Sequence, residues 1–279
     1  MRVHVEPAFT MSQAMFRVAR QLVRYAPSHV KFTQHKNAAD FHVLHAIGAD
    51  ALEVDEPDFA AIQYCMKTAG GSLPAWQDWW SRSRVVWSYY GLDTPKLYHA
   101  PLGVDGDTFV WSESRRDVGI VTTGYVSGPD AEAIEEVALA ASMCGLTTVH
   151  LGPDTIQGME VAPTGWTNVN GITDDELAHL YGRARWVSGL RHVEGFELPV
   201  LEGLVCGARP IVFDRPEMRE WYDGHAMFIP ECSGEELVNI IGSVLICPPP
   251  PVTEDERREV LEKFNWETIV NNFWKAVGV

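Results

Sequence analysis

Apolar, strand-like runs alternate with helical segments along this chain, and the alternation stops and restarts once, between Gly103 and Asp117. Such alternation builds parallel sheet, because each return to a parallel neighbour needs a crossover, and helices supply it on both faces. In the first stretch, residues 1–6 read as a strand, Ser12 caps a helix over 13–25, and 30–33 read as a second strand. Strands follow at 41–45, 60–65 and 84–88, with a helix opening at Pro74 and running through Trp80. After the restart come a strand at 118–123, a helix at 130–144 and a strand at 147–151. A helix follows Asp174, strands cover 186–189 and 210–213, and helices cover 235–245 and 255–277, the last preceded by the Pro248–Pro251 break. The expectation is an α/β protein of two Rossmann-like units.

The segment from Ser188 to Gly207 concentrates the chemistry. Pro199 suits a first helical position, where its missing N–H costs nothing, and Gly207 suits a left-handed stop, so a short helix is predicted from Pro199 to Cys206. Glu202 then lies one turn inside, and Glu194 precedes the helix in extended chain. The amides of Phe196, Glu197 and Leu198 crowd the positive end of the helix dipole, where a phosphate is stabilised. A carboxylate accepts two hydroxyls of a sugar diol, and Arg191 with the amides suits a diphosphate. The ligand expected here is anionic and rich in hydroxyls.

Glu194 and Glu202, written EGFELPVLE, resemble the E-x7-E signature of retaining GT-B glycosyltransferases, especially those grouped as family 4. Three other segments share the likeness in the right order: Pro101-Leu-Gly-Val-Asp105, Val169 to Ala184, and Phe264-Asn-Trp266. The resemblance covers residues 95–279 well and 1–95 in outline. It implies a small acceptor domain at 1–105, a nucleotide-sugar donor domain at 106–263, and a C-terminal helix at 264–279 crossing back onto the first domain. Trp266, Phe273 and Trp274 would form that helix's packing face. The two domains would face each other across a cleft at the carboxyl ends of both sheets.

From the same resemblance, Glu202 would hold the nucleotide ribose and Glu194 the donor sugar. The backbone of Gly195 and of Phe196 to Leu198, with Ser188 beside it, would meet the sugar or diphosphate, and Gly171 and Ile172 would line the base pocket. The family's Arg and Lys after the first glycine of the second domain are absent from Thr123 to Asp130. Arg191, and Lys67 after it, are the substitutes proposed for leaving-group stabilisation, with a salt bridge to a neighbouring acid as the competing reading for Arg191. His45 resembles a histidine that reaches the cleft in the family, with a core histidine as its competitor.

Arg17, Arg20 and Arg24 recur at helical spacing and could meet an anionic acceptor, or simply form a solvated face. Asp105-Gly-Asp107 resembles a D-x-D metal motif but falls at the interdomain junction, so no metal is expected. Trp76, Trp79, Trp80, Trp87, Tyr89 and Tyr90 offer sugar-stacking faces or core.

Composition narrows the remainder. At 279 residues, 46% hydrophobic with a mean hydropathy of -0.10, the chain can build two modest cores. No apolar run is long enough to cross a bilayer, and the start reads as a strand rather than a signal-peptide core, so a cytoplasmic location is expected. Five cysteines without a C-x-x-C pair argue against zinc or a disulfide framework and are expected as buried thiols. Residues 1–105 hold ten basic and ten acidic residues, leaving 12 basic and 28 acidic to carry the whole net charge of -16.

The expectation is a metal-independent, retaining transferase moving a sugar from a UDP- or GDP-sugar to a glycan or small-molecule hydroxyl. Compact phage-like relatives suggest hydroxymethylated DNA bases as an alternative acceptor, against which the acidity speaks. A non-catalytic nucleotide-sugar sensor is the other alternative. A nicotinamide dehydrogenase is excluded, since neither first strand is followed by G-x-G-x-x-G.

Overall fold

The computed structural model describes residues 1–5, 13–53, 56–64, 71–111, 116–124, 133–152, 166–169, 171–192, 196–247 and 250–279. The chain forms two compact units, one of Met1–Gly103 with Phe264–Val279, the other of Val104–Lys263. Ser12 and Cys65 lie outside the described residues.

The first unit is a parallel sheet of β1 (Arg2–Val5), β2 (Lys31–Phe32), β3 (Phe41–Ala46), β4 (Phe59–Gln63), β5 (Val86–Ser88) and β6 (Leu97–His99), in the order β2-β1-β3-β4-β5-β6. Its central strands β3 and β4 are buried at every position, which is why they read as unbroken apolar runs. Helix α1 (Gln13–Arg24) follows β1, and α2 (Leu73–Arg82) links β4 to β5, with Ser72 accepting from the Ala75 amide as its N-cap. The aromatic cluster is core: Trp76, Trp79, Trp80, Trp87, Tyr89 and Tyr90 are all buried. Trp80 Nε1 donates to Gln63 Oε1 at 2.8 Å and Trp87 Nε1 to the Ala100 carbonyl at 3.0 Å, so their polar edges are satisfied within the unit.

Across the first unit lies the end of the chain. The single helix expected over 255–277 is two, α8 (Glu254–Lys263) in the second unit and α9 (Trp266–Val277) in the first. Asn265 breaks them, its Oδ1 accepting from the Thr268 amide at 2.9 Å as the N-cap of α9. Trp266, Phe273 and Trp274 are buried, with Phe273 5.4 Å from Trp87 and Trp274 Nε1 donating to the Leu22 carbonyl at 3.2 Å.

Gly103 makes that docking feasible. A Cβ there would sit 2.5 Å from the Trp266 ring and 2.9 Å from the Phe264 carbonyl. Gly103→Ala is therefore expected to destabilise the first unit by about 1–3 kcal/mol, as overpacking does, seen as a lowered melting midpoint. An unchanged midpoint would show that the Trp266 ring can yield.

The second unit repeats the plan with β7 (Val118–Thr123), β8 (Thr148–Leu151), β9 (Trp166–Val169), β10 (Ala184–Gly189), β11 (Arg209–Phe213) and β12 (Met227–Ile229), all parallel, in the order β12-β11-β10-β7-β8-β9. Its helices are α3 (Ile134–Met143), α4 (Asp174–Arg183), α5 (Leu198–Val205), α6 (Pro216–Tyr222), α7 (Gly234–Ile246) and α8. Ile120, Trp186, Ile211 and Phe213 pack with Val137 and Ala140 of α3 and Leu237 and Ile241 of α7. Helix α5 packs against β10 and β11, and also against α4 and α8.

Arg209 closes the bottom of the unit: its guanidinium pairs with Glu256 at 2.5 Å and donates to the His225 and Pro250 carbonyls. The cysteine expectation is corrected for three residues: Cys206 is buried, but Cys144 and Cys232 are half-buried and Cys247 is exposed, each a free thiol.

Candidate active site

The chain lays β8 and β9 on one side of β7, then returns to place β10 on the other. Connections leaving the carboxyl ends of β7 and β10 therefore run in opposite directions, opening the crevice in which parallel α/β sheets take ligands. Thr123 ends β7 and is followed by Gly124, while Gly189 ends β10 and is followed by Leu190 and Arg191.

Arg191 bridges this switch point. Its Nη2 donates to the Thr123 carbonyl at 3.1 Å and to Thr123 Oγ1 at 3.2 Å, and its Nη1 lies 3.4 Å from Glu197 Oε2. The guanidinium rests against Gly124, where a Cβ would collide with it. Gly124 also has φ +101, so glycine is required there twice over. The competing sequence reading is thus realised, since Arg191 does pair with an acid; the pairing also holds the cation over the crevice.

Glu197 is the N-cap residue of α5, but its carboxylate does not cap the helix. The side chain is 2% exposed, turned toward Arg191, and its Oε1 is buried without a hydrogen-bond partner among the described residues. Burial pushes its pKa up, and the Arg191 charge opposes that. Tyr222 fixes the backbone by donating to the Glu197 carbonyl at 2.8 Å.

Helix α5 starts at Leu198, so Pro199 falls at the second helical position rather than the first. The first-turn amides of a helix have no partner inside it, so that of Val200 joins the donors expected from the sequence. Gly207, at φ +98, supplies the left-handed stop.

His150, near the end of β8, is fully buried beside this arrangement, its Nδ1 2.9 Å from Thr122 Oγ1. Burial, and then the Arg191 charge, lower its pKa from 6.5 to about 4 against a stabilising bond to the Gly124 backbone, so the ring is neutral. On the other side, Arg215 ties the loop after β10. Its Nε donates to Glu231 Oε2 at 2.8 Å, its Nη2 donates to the His192 carbonyl, and His192 Nδ1 lies 3.0 Å from Glu231 Oε1. Arg215 holds Glu231 down at about 2. This brace grips the chain immediately before residues 193–195.

The structure distributes the predicted residues as follows. Glu194, Gly195 and Lys67 lie outside the described residues. Arg191, Glu197 and Leu198 come together at the switch point, with buried Ser188 on β10 leading into it, its Oγ without a partner among the described residues. Phe196 is buried by ring contacts with Trp221 and Tyr222, which leaves only its backbone for a ligand. Glu202 is 2% exposed, so a solvated helix-surface role is ruled out. It faces Cys206, whose thiol burial, with the Glu202 charge, pushes up to about 12.

Gly171, at φ +68, and half-buried Ile172 follow β9 at the same carboxyl edge, three strand positions from β10 or about 14 Å. His45 belongs to the first unit, near the end of β3. It is stacked 5.7 Å from Tyr64 with Nδ1 2.7 Å from its hydroxyl, and burial lowers its pKa to about 4. On α1, Arg20 and Arg24 are exposed, Arg17 is half-buried, and Arg24 lies over the Tyr25 ring.

Thr123, His150 and the Arg215–Glu231 brace were not legible as site residues. The only available signal was that each ends or follows an apolar strand, where open α/β sheets collect function. Among the described residues no group of three or more His, Cys, Asp or Glu could hold a metal ion, and no helix is long and apolar enough to cross a membrane.

No family model matches the chain. A curated relative, the MMP alpha-(1->4)-mannosyltransferase of Mycolicibacterium hassiacum, is 24% identical over 196 residues, which cover 64% of this chain and 47% of that protein. The chain thus spans about half the length of this relative. Among solved structures, sucrose-phosphate synthase from Thermosynechococcus elongatus superposes with a TM-score of 0.71 at 13% identity, covering 98% of this chain and 97% of that one. Anabaena HepE in complex with UDP superposes with a TM-score of 0.70 at 11% identity, covering 99% of each chain. Two all-parallel six-stranded sheets and these full-length likenesses identify the fold as the two-domain, Rossmann-like GT-B fold of glycosyltransferases.

Proposed function

We propose that the chain is a retaining hexosyltransferase that moves a sugar from a UDP- or GDP-sugar to an acceptor hydroxyl of a glycan or small molecule. The observation that carries this reading is Arg191, held over Gly124 at the β7/β10 switch point beside the start of α5. A cation and a helix start converging there suit a departing diphosphate, whose growing charge they neutralise as the anomeric bond breaks. That two-part clamp replaces the usual Arg/Lys pair and leaves no step that requires a divalent metal. Glu202 would take the ribose hydroxyls, Glu194 the donor sugar, and the Gly171–Ile172 backbone the base. HepE, with which the chain shares its fold along almost its whole length, holds UDP, which supports a nucleotide donor.

The acid–base balance favours a neutral or cationic acceptor over DNA: the second unit's surplus of carboxylates would repel a duplex. A thermal-shift screen against UDP, GDP and their sugars tests the donor. One nucleotide at about 100 times its Kd should stabilise the protein by roughly 2.7 kcal/mol. If no nucleotide diphosphate moves the melting curve, the reading fails. Binding without transfer or slow donor hydrolysis, with or without EDTA, would instead indicate a sensor.

A further inference from the structure

We propose that Glu197 is the counter-ion that holds Arg191 in the empty site and surrenders it to the donor diphosphate, taking up a proton from solvent as it does so. This rests on the nucleotide-sugar reading and deepens it, because it assigns a role to a carboxylate that this reading otherwise uses only for its backbone.

The geometry is specific. Glu197 is 2% exposed and its described charged partner is Arg191, at 3.4 Å through Oε2. Its Oε1 is buried with no hydrogen-bond partner among the described residues. The carboxylate stem lies against β10, where a Cβ on Gly189 would come within 3.2 Å of Glu197 Cγ. The guanidinium, by contrast, is 16% exposed. An entering diphosphate meets Arg191 first, and its charge competes with that of Glu197 for the same cation.

The other described titratable groups near the pair cannot replace the lost partner. Tyr222, on α6, uses its hydroxyl on Glu197's own carbonyl. His150, on β8, is a neutral ring engaged with Thr122 and the Gly124 backbone. Glu202, further along α5, carries the same charge sign and faces Cys206. A buried carboxylate deprived of its counter-ion is more stable protonated than charged. The balance is therefore one proton moving from buffer to the Glu197 carboxylate as the diphosphate takes over Arg191. Glu197 is a positioning residue acting through Arg191.

The test is calorimetric titration of the full chain with UDP and with GDP near pH 7.5 in HEPES and in Tris, whose ionisation enthalpies differ. Wild type should take up about 0.5–1 proton more per bound nucleotide than Glu197→Gln, and the variant should bind more tightly because the Glu197 charge no longer competes with the diphosphate for the cation. Equal proton uptake in the two proteins overturns the inference while leaving the donor reading intact. Failure of both nucleotides to bind overturns both.

Should Glu197→Gln not fold, wild type decides alone. Because a proton is bound with the ligand, affinity should fall as pH rises, by up to about tenfold per unit between about 7.5 and 8.5. A flat profile over that interval overturns the inference.

Discussion

Arg191→Ala is expected to lower donor turnover by about 10²- to 10³-fold, the loss typical when one charge-stabilising group is removed from a leaving-group site. The expectation follows from position: the guanidinium spans the β7/β10 switch point, bonded to Thr123 on one side and paired with Glu197 on the other. Arg191→Lys should recover only part of the loss, because an ammonium keeps the charge but cannot reproduce the planar fork that reaches Thr123 and Glu197 together. Steady-state kinetics with the donor found in the thermal-shift screen would measure both. Turnover of Arg191→Ala within a few-fold of wild type would remove Arg191 from the chemistry and leave it a structural ion pair.

Acid should weaken both units within a defined interval. His45 in the first unit and His150 in the second are buried and neutral, with pKa values lowered from 6.5 to about 4 mainly by burial. In the unfolded chain each would bind its proton near 6.5, while in the folded chain it does so only near 4. The stability they permit is complete above about 6.5 and lost progressively as pH falls toward about 4, by roughly 3 kcal/mol for each histidine. The melting midpoint should drop by on the order of 10 °C between about pH 7 and pH 4.5. His45→Gln should flatten the acid response of the first unit, and His150→Asn that of the second. A midpoint constant over the interval would show that both rings charge in place. Glu231, held at about 2 by Arg215, keeps its bond throughout this range and starts to add to the loss only below about 4.5, where the unfolded chain takes up its proton.

Much of this architecture could be read directly from the chain. Strands β3, β4, β7 and β11 are buried along their whole length, and burial on both faces writes them as apolar runs. The glycine expectation holds at Gly207, where positive φ excludes a side chain without strain. Short or peripheral elements left weaker traces. β6 and β12 are three-residue strands at the sheet edges, and α6 spans two turns, below the length at which a periodicity declares itself.

The residue pattern alone ran α8 and α9 together, because their break rests on one asparagine cap within an otherwise helical composition. At the site, E-x7-E marked the segment but not its electrostatics. Arg191 meets Thr123 across 68 residues of sequence, and only folding shows that its acid partner is Glu197 rather than a surface carboxylate.

The first unit is assembled from two distant pieces of chain, Met1–Gly103 and Phe264–Val279, with the entire second unit encoded between them. During synthesis the second unit can therefore close while its neighbour still lacks Trp266, Phe273 and Trp274. The elements before Gly103 gain the cover of α9 only after the whole second unit has been made, so the first unit matures later than the position of its strands in the sequence suggests.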